Sequence, residues 1–379
     1  MVKLEELLEP LVSRGGSDLH LSAGSPPKIR LDGNLVDESP EPLGHEDTKQ
    51  IVYSILTNDQ IATFEEKLEL DLSFGVSGLG RFRTNVFQQR GTVAAVFRLI
   101  PFDVKSFEEL GLPAEVCTKL CKLPKGLILV TGATGSGKST TLAAMIDYIN
   151  RTRESHIVTI EDPIEFLHRN KRCLFNQREV GSDTLKFKYA LRSVLRQDPD
   201  VVLIGEIRDL ETAENAIQAA LTGHLVFSTL HTNDAPSALT RLVDMGVKPF
   251  LVASAVMAIM AQRLIRRICL ECRQEAEVSE TELRAVGLTQ QRLEEATVYE
   301  AVGCPACNNS GYKGRQGVYE LMEMSNDIRE MAFQCKPTLE LRAKARSEGM
   351  VTLQEDAIRK VLAGVTTIPE VLRITHRDA

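Results

Sequence analysis

The sequence predicts an α/β fold in which a parallel sheet, covered by helices on both faces, follows a smaller α+β domain. In the later part of the chain, apolar runs without alternation are separated by segments of helical periodicity, which is typical of buried parallel strands. These runs lie at 127–130, 157–160, 201–204 and 225–230. Earlier in the chain, shorter strand-like pieces surround one helical stretch, which is typical of a small α+β domain. We therefore expect an amino-terminal domain over 1–100, a linker over 101–123 and a larger domain over 124–379.

The strand-like pieces of the first domain are joined by recognisable turns. Asp32-Gly33-Asn34 and Gly78-Leu79-Gly80 are turn signals, and each predicts a hairpin of one sheet. The proline- and glycine-containing linker predicts one short helix. After Leu264 the chain becomes more polar, and we expect a helical carboxyl-terminal part that is interrupted by two cysteine pairs.

The composition is that of an ordinary folded protein. Of 379 residues, 43% are hydrophobic, 26% are charged and 5% are aromatic, which excludes collagen-like, mucin-like and wholly disordered chains. The net charge of −7 disfavours sequence-independent binding of nucleic acid, which would need a locally basic surface. No apolar run approaches the ~20 residues of a membrane-spanning helix, and the first residues lack a secretory signal. We expect a cytosolic protein without a transmembrane segment.

A glycine-rich segment with the sequence G-A-T-G-S-G-K-S follows the predicted strand at 127–130 and precedes a predicted helix. This is the phosphate-loop pattern in the strand–loop–helix context that it requires. Backbone N–H groups of such a loop surround phosphate oxygens, the Lys138 amine reaches the β- and γ-phosphates, and the Ser139 hydroxyl ligates Mg²⁺. The predicted ATP-binding residues are Gly132, Ala133, Thr134, Gly135, Ser136, Gly137, Lys138, Ser139 and Thr140.

Two carboxylates directly follow predicted strands. Glu206 follows the run at 201–204, and Gly205 stands where an aspartate is usual, so we predict that Glu206 accepts the proton of the attacking water. A helix-capping role for Glu206 is the alternative. Glu161 opens an E-D-P-I-E segment after the run at 157–160, at the strand ends that border the ligand crevice of open α/β sheets. We expect Glu161 to face Mg²⁺ or the water, with an Asp-Pro turn of solvated carboxylates as the alternative.

Two histidines and several arginines are further candidates. His224 and His231 flank the run at 225–230, where a polar side chain would sense the γ-phosphate, although a structural histidine is equally consistent with each position. Arginine stabilises charge on a transferring phosphoryl group, and another domain or subunit can supply it. A solvated strand face is the alternative for these residues. The first domain carries Arg81, Arg83, Arg90 and Arg98 on its last two strand-like pieces.

Four cysteines form two Cys-x-x-Cys pairs, Cys269 with Cys272 and Cys304 with Cys307, separated by the 31 residues 273–303. Each pair can direct two thiolates to one tetrahedral Zn²⁺, and four thiolates complete a closed structural site. The spacing exceeds the ~15–20 residues usual for a zinc ribbon, so we expect a small helical insert over 269–307. Independent buried thiols or a redox pair are the alternatives.

With these residues in place, the chain resembles the type II secretion and type IV pilus motor ATPases, a family of hexameric phosphate-loop engines. In the motor domain, the phosphate loop, an aspartate box, an atypical Walker B segment and a histidine box carry the resemblance, at 132–139, 160–165, 198–209 and 222–233. In the first domain, Ser17-Asp18-Leu19-His20-Leu21 and the segment from Gly80-Arg81-Phe82-Arg83 to Arg98 carry it. The resemblance covers nearly the whole chain.

The resemblance implies a RecA-like motor domain preceded by a PAS-like domain. It implies that Glu206 is the catalytic glutamate, that Arg83 and Arg98 approach the nucleotide, and that His224 and His231 couple the γ-phosphate to domain motion. It also implies a homo-hexamer in which ATP drives rotation of the first domain through a flexible 101–123 segment. The implied location is cytoplasmic and peripheral on the inner membrane, with an inner-membrane platform protein as partner and no specific nucleic acid.

The resemblance also bears on which machine the motor drives. The short segment before Ser17 resembles the retraction motors, whereas the four-cysteine insert and the segment 311–320 resemble the extension and secretion motors. We therefore expect a motor of pilus assembly or type II secretion, with pilus retraction as the alternative. A ring-shaped nucleic-acid translocase and a small-molecule kinase are alternatives of other classes, since phosphate-loop folds host many functions.

Overall fold

The computed structural model describes residues 3–31, 34–288 and 296–375. The chain divides into two compact units. The first consists of Met1–Asp103 with Ile164–His168, and the second of Val104–Pro163 with Arg169–Ala379. The short segment 164–168 therefore belongs to the first unit, although in the sequence it follows the strand His156–Glu161, the second strand of the second unit.

The first unit is built on a six-stranded antiparallel sheet of order β3-β2-β1-β6-β5-β4. Its strands are β1 (Asp18–Leu21), β2 (Lys28–Leu31), β3 (Asn34–Asp37), β4 (Glu69–Val76), β5 (Gly80–Gln89) and β6 (Thr92–Ile100). Its helices are α1 (Leu4–Ser13), α2 (His45–Tyr53) and α3 (Asn58–Lys67). The α+β class expected for this part of the chain is confirmed. The single helical stretch expected near 47–68 forms two helices, α2 and α3, and α1 was not predicted.

Both hairpins expected in this sheet have their paired strands. The strands β4 and β5 are antiparallel and meet at the turn that contains Gly78, which adopts a positive φ of 81°. The strands β2 and β3 also pair, but Asp32 and Gly33 of the turn predicted between them lie outside the described residues. Alternate residues of the long strands point into a core that includes Phe64, Phe82 and Phe97.

The second unit is built on a seven-stranded sheet of order β15-β12-β7-β11-β10-β8-β9. Six strands run parallel, and β15 pairs antiparallel with β12 at the edge. The strands are β7 (Gly126–Thr131), β8 (His156–Glu161), β9 (Leu174–Glu179), β10 (Val201–Ile204), β11 (Leu225–Leu230), β12 (Val256–Ile268) and β15 (Tyr312–Glu323). The four strands predicted from the sequence are β7, β8, β10 and β11, and they lie side by side in the parallel sheet.

Helices cover both faces of this sheet, as its uninterrupted apolar strands require. They are α4 (Phe107–Leu110), α5 (Ala114–Cys121), α6 (Lys138–Thr152), α7 (Phe187–Val194), α8 (Leu210–Leu221), α9 (Ala235–Asp244) and α10 (Pro249–Ala255). Two separate clusters of buried apolar side chains contain the residues of opposite strand faces, such as Leu127 and Leu129 in one and Ile128 and Val130 in the other. None of the helices in the described ranges combines the length and apolar composition needed to cross a bilayer.

The carboxyl-terminal part is less helical than expected, because β12 and β15 form the longest strand pair in the sheet. Periodicity after Leu264 suggested helix, but pairing across the sheet determines the conformation of this segment. Between the cysteine pairs lie β13 (Arg273–Glu275), α11 (Glu280–Val286), β14 (Tyr299–Ala301) and a 3₁₀ turn (Pro305–Cys307). The last helices are α12 (Asn326–Phe333), α13 (Thr338–Ser347), α14 (Leu353–Leu362) and α15 (Ile368–Thr375).

Most of the segment expected to be a linker packs within the second unit. Phe107, Leu112 and Cys117 are buried in its core, and the ring of Phe107 stacks on Tyr148 of α6 with centroids 5.2 Å apart. The part of 101–123 without regular secondary structure before its first helix is 101–106. The expectation of a flexible segment over all of 101–123 is therefore wrong for 107–121, since burying large apolar side chains fixes that part.

Candidate functional site

Four loops meet at one edge of the second unit's sheet. The strands β7, β11, β10 and β8 are neighbours in that order and run parallel, so their carboxyl ends lie side by side. Ligands of open α/β sheets bind in the crevice outside these ends. The loops that follow these strands carry the phosphate loop, His231, Glu206 and Glu161.

The phosphate loop has the backbone that its glycines allow. Gly132, Gly135 and Gly137 have positive φ angles of 146°, 76° and 88°, which side-chain-bearing residues adopt only with strain. The helix α6 starts at Lys138, so its amino-terminal N–H groups and partial positive charge lie at the loop. Ala133, Thr134 and Gly135 are exposed, whereas Ser139 and Thr140 are half-buried in the first turn of α6.

Lys138 is held against the loop that it is predicted to serve. Its ammonium group donates to the carbonyl oxygens of Gly132 at 2.8 Å and Ala133 at 3.2 Å. The residue is only 9% exposed, so the positive charge is concentrated within the loop. This arrangement places a cation and several backbone N–H groups around one small volume, which favours binding of a phosphate chain.

The histidine-box segment is bonded to the strand that leads into the phosphate loop. The N–H of Thr232 donates to Thr131 Oγ1 at 2.8 Å, and the two threonine hydroxyls lie 2.7 Å apart. Asp234 then caps α9 by accepting from the Ser237 N–H at 2.8 Å, and it pairs with Arg342 of α13 at 2.6 Å. Thr131 and Thr232 are 101 residues apart in the sequence, so no local pattern predicts this link.

Glu206 lies just after β10 and forms an ion pair and a second polar contact. Its carboxylate pairs with the guanidinium of Arg208 and accepts a hydrogen bond from His231 Nε2 at 3.3 Å. Partial burial favours the neutral acid, but these two hydrogen bonds outweigh burial, so the pKa of Glu206 is lowered. Glu206 is therefore an ionised carboxylate at neutral pH and is able to accept a proton.

Gly205 occupies a narrow space beside β8. An added Cβ would lie 3.3 Å from the Ile160 carbonyl oxygen and 3.5 Å from the Glu161 Cα. An aspartate at this position would crowd the neighbouring strand, which gives a steric reason for glycine there.

Glu161 is buried at the end of β8 and has neutral partners. Thr159 Oγ1 donates to its carboxylate at 2.6 Å, and Gln177 Nε2 donates to the same oxygen at 3.1 Å. These contacts hold Glu161 at the carboxyl edge rather than in a solvated Asp-Pro turn. The partner Gln177 comes from β9, a strand that the sequence analysis did not predict.

The structure does not bring His224 to this edge. His224 directly precedes β11, and its carbonyl accepts from the N–H of Gly126, the first residue of β7. It therefore lies at the opposite, amino-terminal end of the parallel strands. Its Nδ1 lies 2.9 Å from the carbonyl oxygen of Ala219 in α8. Of the two predicted histidines, only His231 lies near Glu206 within this chain.

Arg83 and Arg98 belong to the first unit and lie directly opposite each other on β5 and β6. Arg83 is exposed, while Arg98 donates to the Asp18 carboxylate at 2.7 Å. Burial opposes ionisation of Asp18, but hydrogen bonds from Ser17 and Arg98 outweigh it and lower the pKa of Asp18. Asp18 belongs to the Ser17-to-Leu21 segment, so this ion pair joins the two family-like segments of the first domain.

The four cysteines Cys269, Cys272, Cys304 and Cys307 form one cluster, with all sulfurs within 4.8 Å of one another. Neighbouring sulfurs lie 3.8 to 3.9 Å apart. In a tetrahedral site with metal–sulfur bonds of about 2.3 Å, the sulfurs would lie about 3.8 Å apart, so the spacing fits Zn²⁺. Backbone N–H groups of Gly303, Cys304 and Gly311 also donate to the sulfurs, as suits thiolates.

The fold and the carboxyl edge of the sheet together define a phosphate-loop nucleotide-binding protein. A family model described as "Type II/IV secretion system protein" matches residues 4–373. The chain therefore belongs to the type II/IV secretion system protein family. The recognition made from the sequence is confirmed, and the protein is an ATPase of the α/β phosphate-loop class.

Individual proteins extend this comparison. The type IV pilus retractation ATPase PilT of Pseudomonas aeruginosa is 51% identical over 271 residues, which cover 70% of this chain and 78% of that protein. The type II secretion system protein HxcR of the same species is 40% identical over 389 aligned residues, covering 99% and 77%. The crystal structure of the pilus retraction motor PilT with bound ADP matches with a TM-score of 0.81 and 38% identity, covering 99% of this chain and 97% of that one.

Proposed function

We propose that this protein hydrolyses ATP with Mg²⁺ as a homo-hexameric motor that powers type IV pilus assembly or type II secretion. The observation that carries the catalytic part is the position of Glu206, bonded to Arg208 and His231, on the same sheet edge as the phosphate loop. The family membership and the similarity to a type II secretion protein over nearly all of the chain support the proposed role in pilus assembly or type II secretion.

In this proposal the phosphate loop binds the phosphate chain of ATP, and Glu206 takes the proton of the attacking water. The Ser139 hydroxyl is the loop's ligand for Mg²⁺, which would neutralise charge on the β- and γ-phosphates. Glu161 lies at the end of the neighbouring strand β8, where it is available to orient water. His231 and Arg208 hold the Glu206 carboxylate in one place before the nucleotide binds.

The first unit would supply positive charge to the transferred phosphoryl group. Arg83 is exposed and takes this role first, while Arg98 is already paired with Asp18 and holds the adjacent strand. ATP binding and hydrolysis would favour different arrangements of the units in turn, so chemical energy would become rigid-body motion. The segment 101–106 is the natural place for the hinge, since 107–121 packs in the second unit's core.

The four cysteines are proposed to hold one structural Zn²⁺. All four ligand positions are occupied by protein, which leaves no open position for catalysis. Zn²⁺ would hold together the two turns that carry the cysteine pairs.

We place the motor on the cytoplasmic side of the inner membrane, where it acts on a platform protein of the pilus or secretion machine. This placement follows from the machines named for its relatives. Pilus retraction is the second candidate, because the 51% identity to a retractation ATPase favours it. Deleting the gene separates the candidates: an assembly motor's loss removes surface pili, a retraction motor's loss leaves them in excess, and a secretion motor's loss leaves pili unchanged.

Phosphate release with ATP and Mg²⁺, measured across size-exclusion fractions of the purified protein, tests the catalytic and assembly proposals together. We expect activity in a fraction of about six subunits, and loss of at least about 10²-fold in turnover in Glu206→Gln, because an amide cannot accept the proton. Glu214→Gln is the matched control, since Glu214 is an exposed glutamate of α8.

Activity in a monomer fraction, or full turnover in Glu206→Gln, would contradict the proposal. Stimulation of turnover by DNA at low salt, lost at high salt, would instead favour the nucleic-acid translocase.

A further inference from the structure

Gln262 lies directly beneath the phosphate loop and contacts it on several sides. Its side-chain N–H donates to the Ser136 carbonyl at 2.7 Å, and its side-chain oxygen accepts from Thr141 Oγ1 at 2.7 Å. The residue is only 2% exposed. One amide therefore joins the loop to the first turns of α6.

The glycines at both ends of the loop also meet Gln262. A Cβ on Gly132 would lie 2.4 Å from the Gln262 backbone oxygen, and a Cβ on Gly137 would lie 2.8 Å from its Nε2. Both distances are too short for a side chain, so the loop can approach Gln262 this closely only because these residues are glycine.

Strand pairing in the sheet determines where Gln262 lies along β12 relative to the start of the loop. In β12, Ala261 is aligned with Thr131, the last residue of β7, and Gln262 is aligned with Tyr319 of β15. The phosphate loop starts immediately after Thr131, so β12 passes beside the exact residue from which the loop departs. Because β12 has a neighbour on each side, the loop cannot shift without disturbing the sheet.

We propose that Gln262 is a positioning residue that orients the Ser136–Gly137 peptide group for phosphate binding. The C=O and N–H of a trans peptide point in opposite directions. When Gln262 holds the Ser136 carbonyl toward β12, the Gly137 N–H points away from β12 and into the space enclosed by the loop. The bond to Thr141 at the same time holds the first turns of α6, whose N–H groups complete the anion site. This inference rests on the proposed binding of ATP by the phosphate loop.

The test compares ADP affinity, KM for ATP and kcat in Gln262→Ala, Gln262→Glu, Thr141→Val and Thr141→Ser. We expect KM and the ADP dissociation constant to rise about tenfold in Gln262→Ala, with a smaller change in kcat, since losing one well-placed hydrogen bond has about this effect. Gln262→Glu should be at least as impaired, because its carboxylate would face the Ser136 carbonyl. Thr141→Val should raise KM because it removes the hydroxyl that bonds to Gln262. Thr141→Ser keeps a hydroxyl, so its KM should lie close to that of the unmodified protein.

Gln354→Ala is the matched control, because its side-chain N–H also donates to a backbone carbonyl, that of Val286, but between α14 and α11. A lower melting temperature without nucleotide, together with unchanged KM and ADP affinity in the Gln262 variants, would overturn the proposal by showing a purely structural role. If Gln262→Ala does not fold, equal KM values in Thr141→Val and Thr141→Ser would overturn it. Failure of the proposed function appears separately, as absence of ADP binding or turnover in the unmodified protein.

Discussion

Strand β12 serves two sites and holds them in different ways. At its middle, Gln262 contacts the phosphate loop directly after Ala261, the last residue of the stretch that lies between β7 and β15. Its pairing with β7 ends at Ala261, and from there it continues beside β15 alone. Cys269, the first residue of the cysteine cluster, follows the end of the strand at Ile268.

This difference shows what each site depends on. The phosphate loop is bonded to Gln262, which directly follows the part of β12 that has neighbours on both sides, so the sheet holds the loop in place before any ligand binds. The cysteine cluster lies beyond the sheet, and its four sulfurs converge within 4.8 Å. In the proposed structure a shared metal ion would hold this cluster together. The two sites should therefore respond independently to substitution.

The largest expected effect is that of Lys138→Ala on nucleotide binding. Its ammonium group is the cation held inside the phosphate loop, so we expect ADP affinity to fall by on the order of 10²-fold or more. Metal content should be unchanged, since the cluster does not share these contacts. Isothermal titration with ADP and elemental analysis of the same sample measure both quantities.

Lys125→Ala provides the control for this variant, because Lys125 is an exposed lysine just before β7. Loss of metal from Lys138→Ala, with normal metal in Lys125→Ala, would break the comparison by showing that the two sites depend on each other.

The next effect in size is that of Cys304→Ser on the carboxyl-terminal part. Removing one of four thiolates should abolish binding of one zinc per chain and lower the melting temperature by several degrees. ADP affinity should stay within about threefold, because β15 pairs with Gln262 and β7 pairs with the preceding Ala261 whether or not the metal is present. Elemental analysis, thermal unfolding and ADP titration of one preparation give the three values.

Cys335→Ser is the control for this variant, since Cys335 is an exposed cysteine outside the cluster. One zinc per chain persisting in Cys304→Ser would argue against a four-cysteine site. A large loss of ADP affinity in Cys304→Ser would show that the metal site at the end of β12 affects the position of Gln262 in the middle of the strand.

The sequence was sufficient to predict those sites and strands whose residues lie close together in the chain. The phosphate loop and the two cysteine pairs have fixed spacings, and four of the six parallel strands have uninterrupted apolar runs, so these were predicted. Gln262 was not, because it is 126 residues from Ser136 and only strand pairing joins them. The placement of His224 failed for a related reason: proximity to a strand in sequence does not say at which end of the sheet a side chain lies.

The misassigned carboxyl-terminal segment has the same origin. Residues 256–268 are apolar at one end and rich in arginine at the other, and neither half alternates regularly. Their extended conformation comes from pairing with β7 and β15, and β15 is more than forty residues further along the chain. Local propensity does not contain that information.

The smallest expected effect is that of Arg208→Gln, which distinguishes the roles of the charged residues at the carboxyl edge of the sheet. Arg208 pairs with Glu206 and lowers its pKa together with His231, while Asp162 acts on Arg208. In Arg208→Gln the carboxylate loses its cation, so its pKa rises and more of it is protonated at a given acidic pH. The acid limb of the kcat profile should move upward by about half a pH unit, as expected for an exposed ion pair.

Single-turnover phosphate release between about pH 3 and about pH 7 measures this shift, because the lowered pKa of Glu206 places the acid limb below its ordinary value. Arg208→Lys keeps the positive charge and is the matched control, so its acid limb should lie close to that of the unmodified protein. If Arg208→Gln leaves the acid limb in place, Arg208 does not set the basicity of Glu206. If Arg208→Gln instead weakens ADP binding, Arg208 belongs with Lys138 among the groups that hold the nucleotide. The expected result would mean that Arg208 acts on the proton acceptor Glu206 and not on nucleotide binding. Binding and proton transfer at this edge would then depend on different cations.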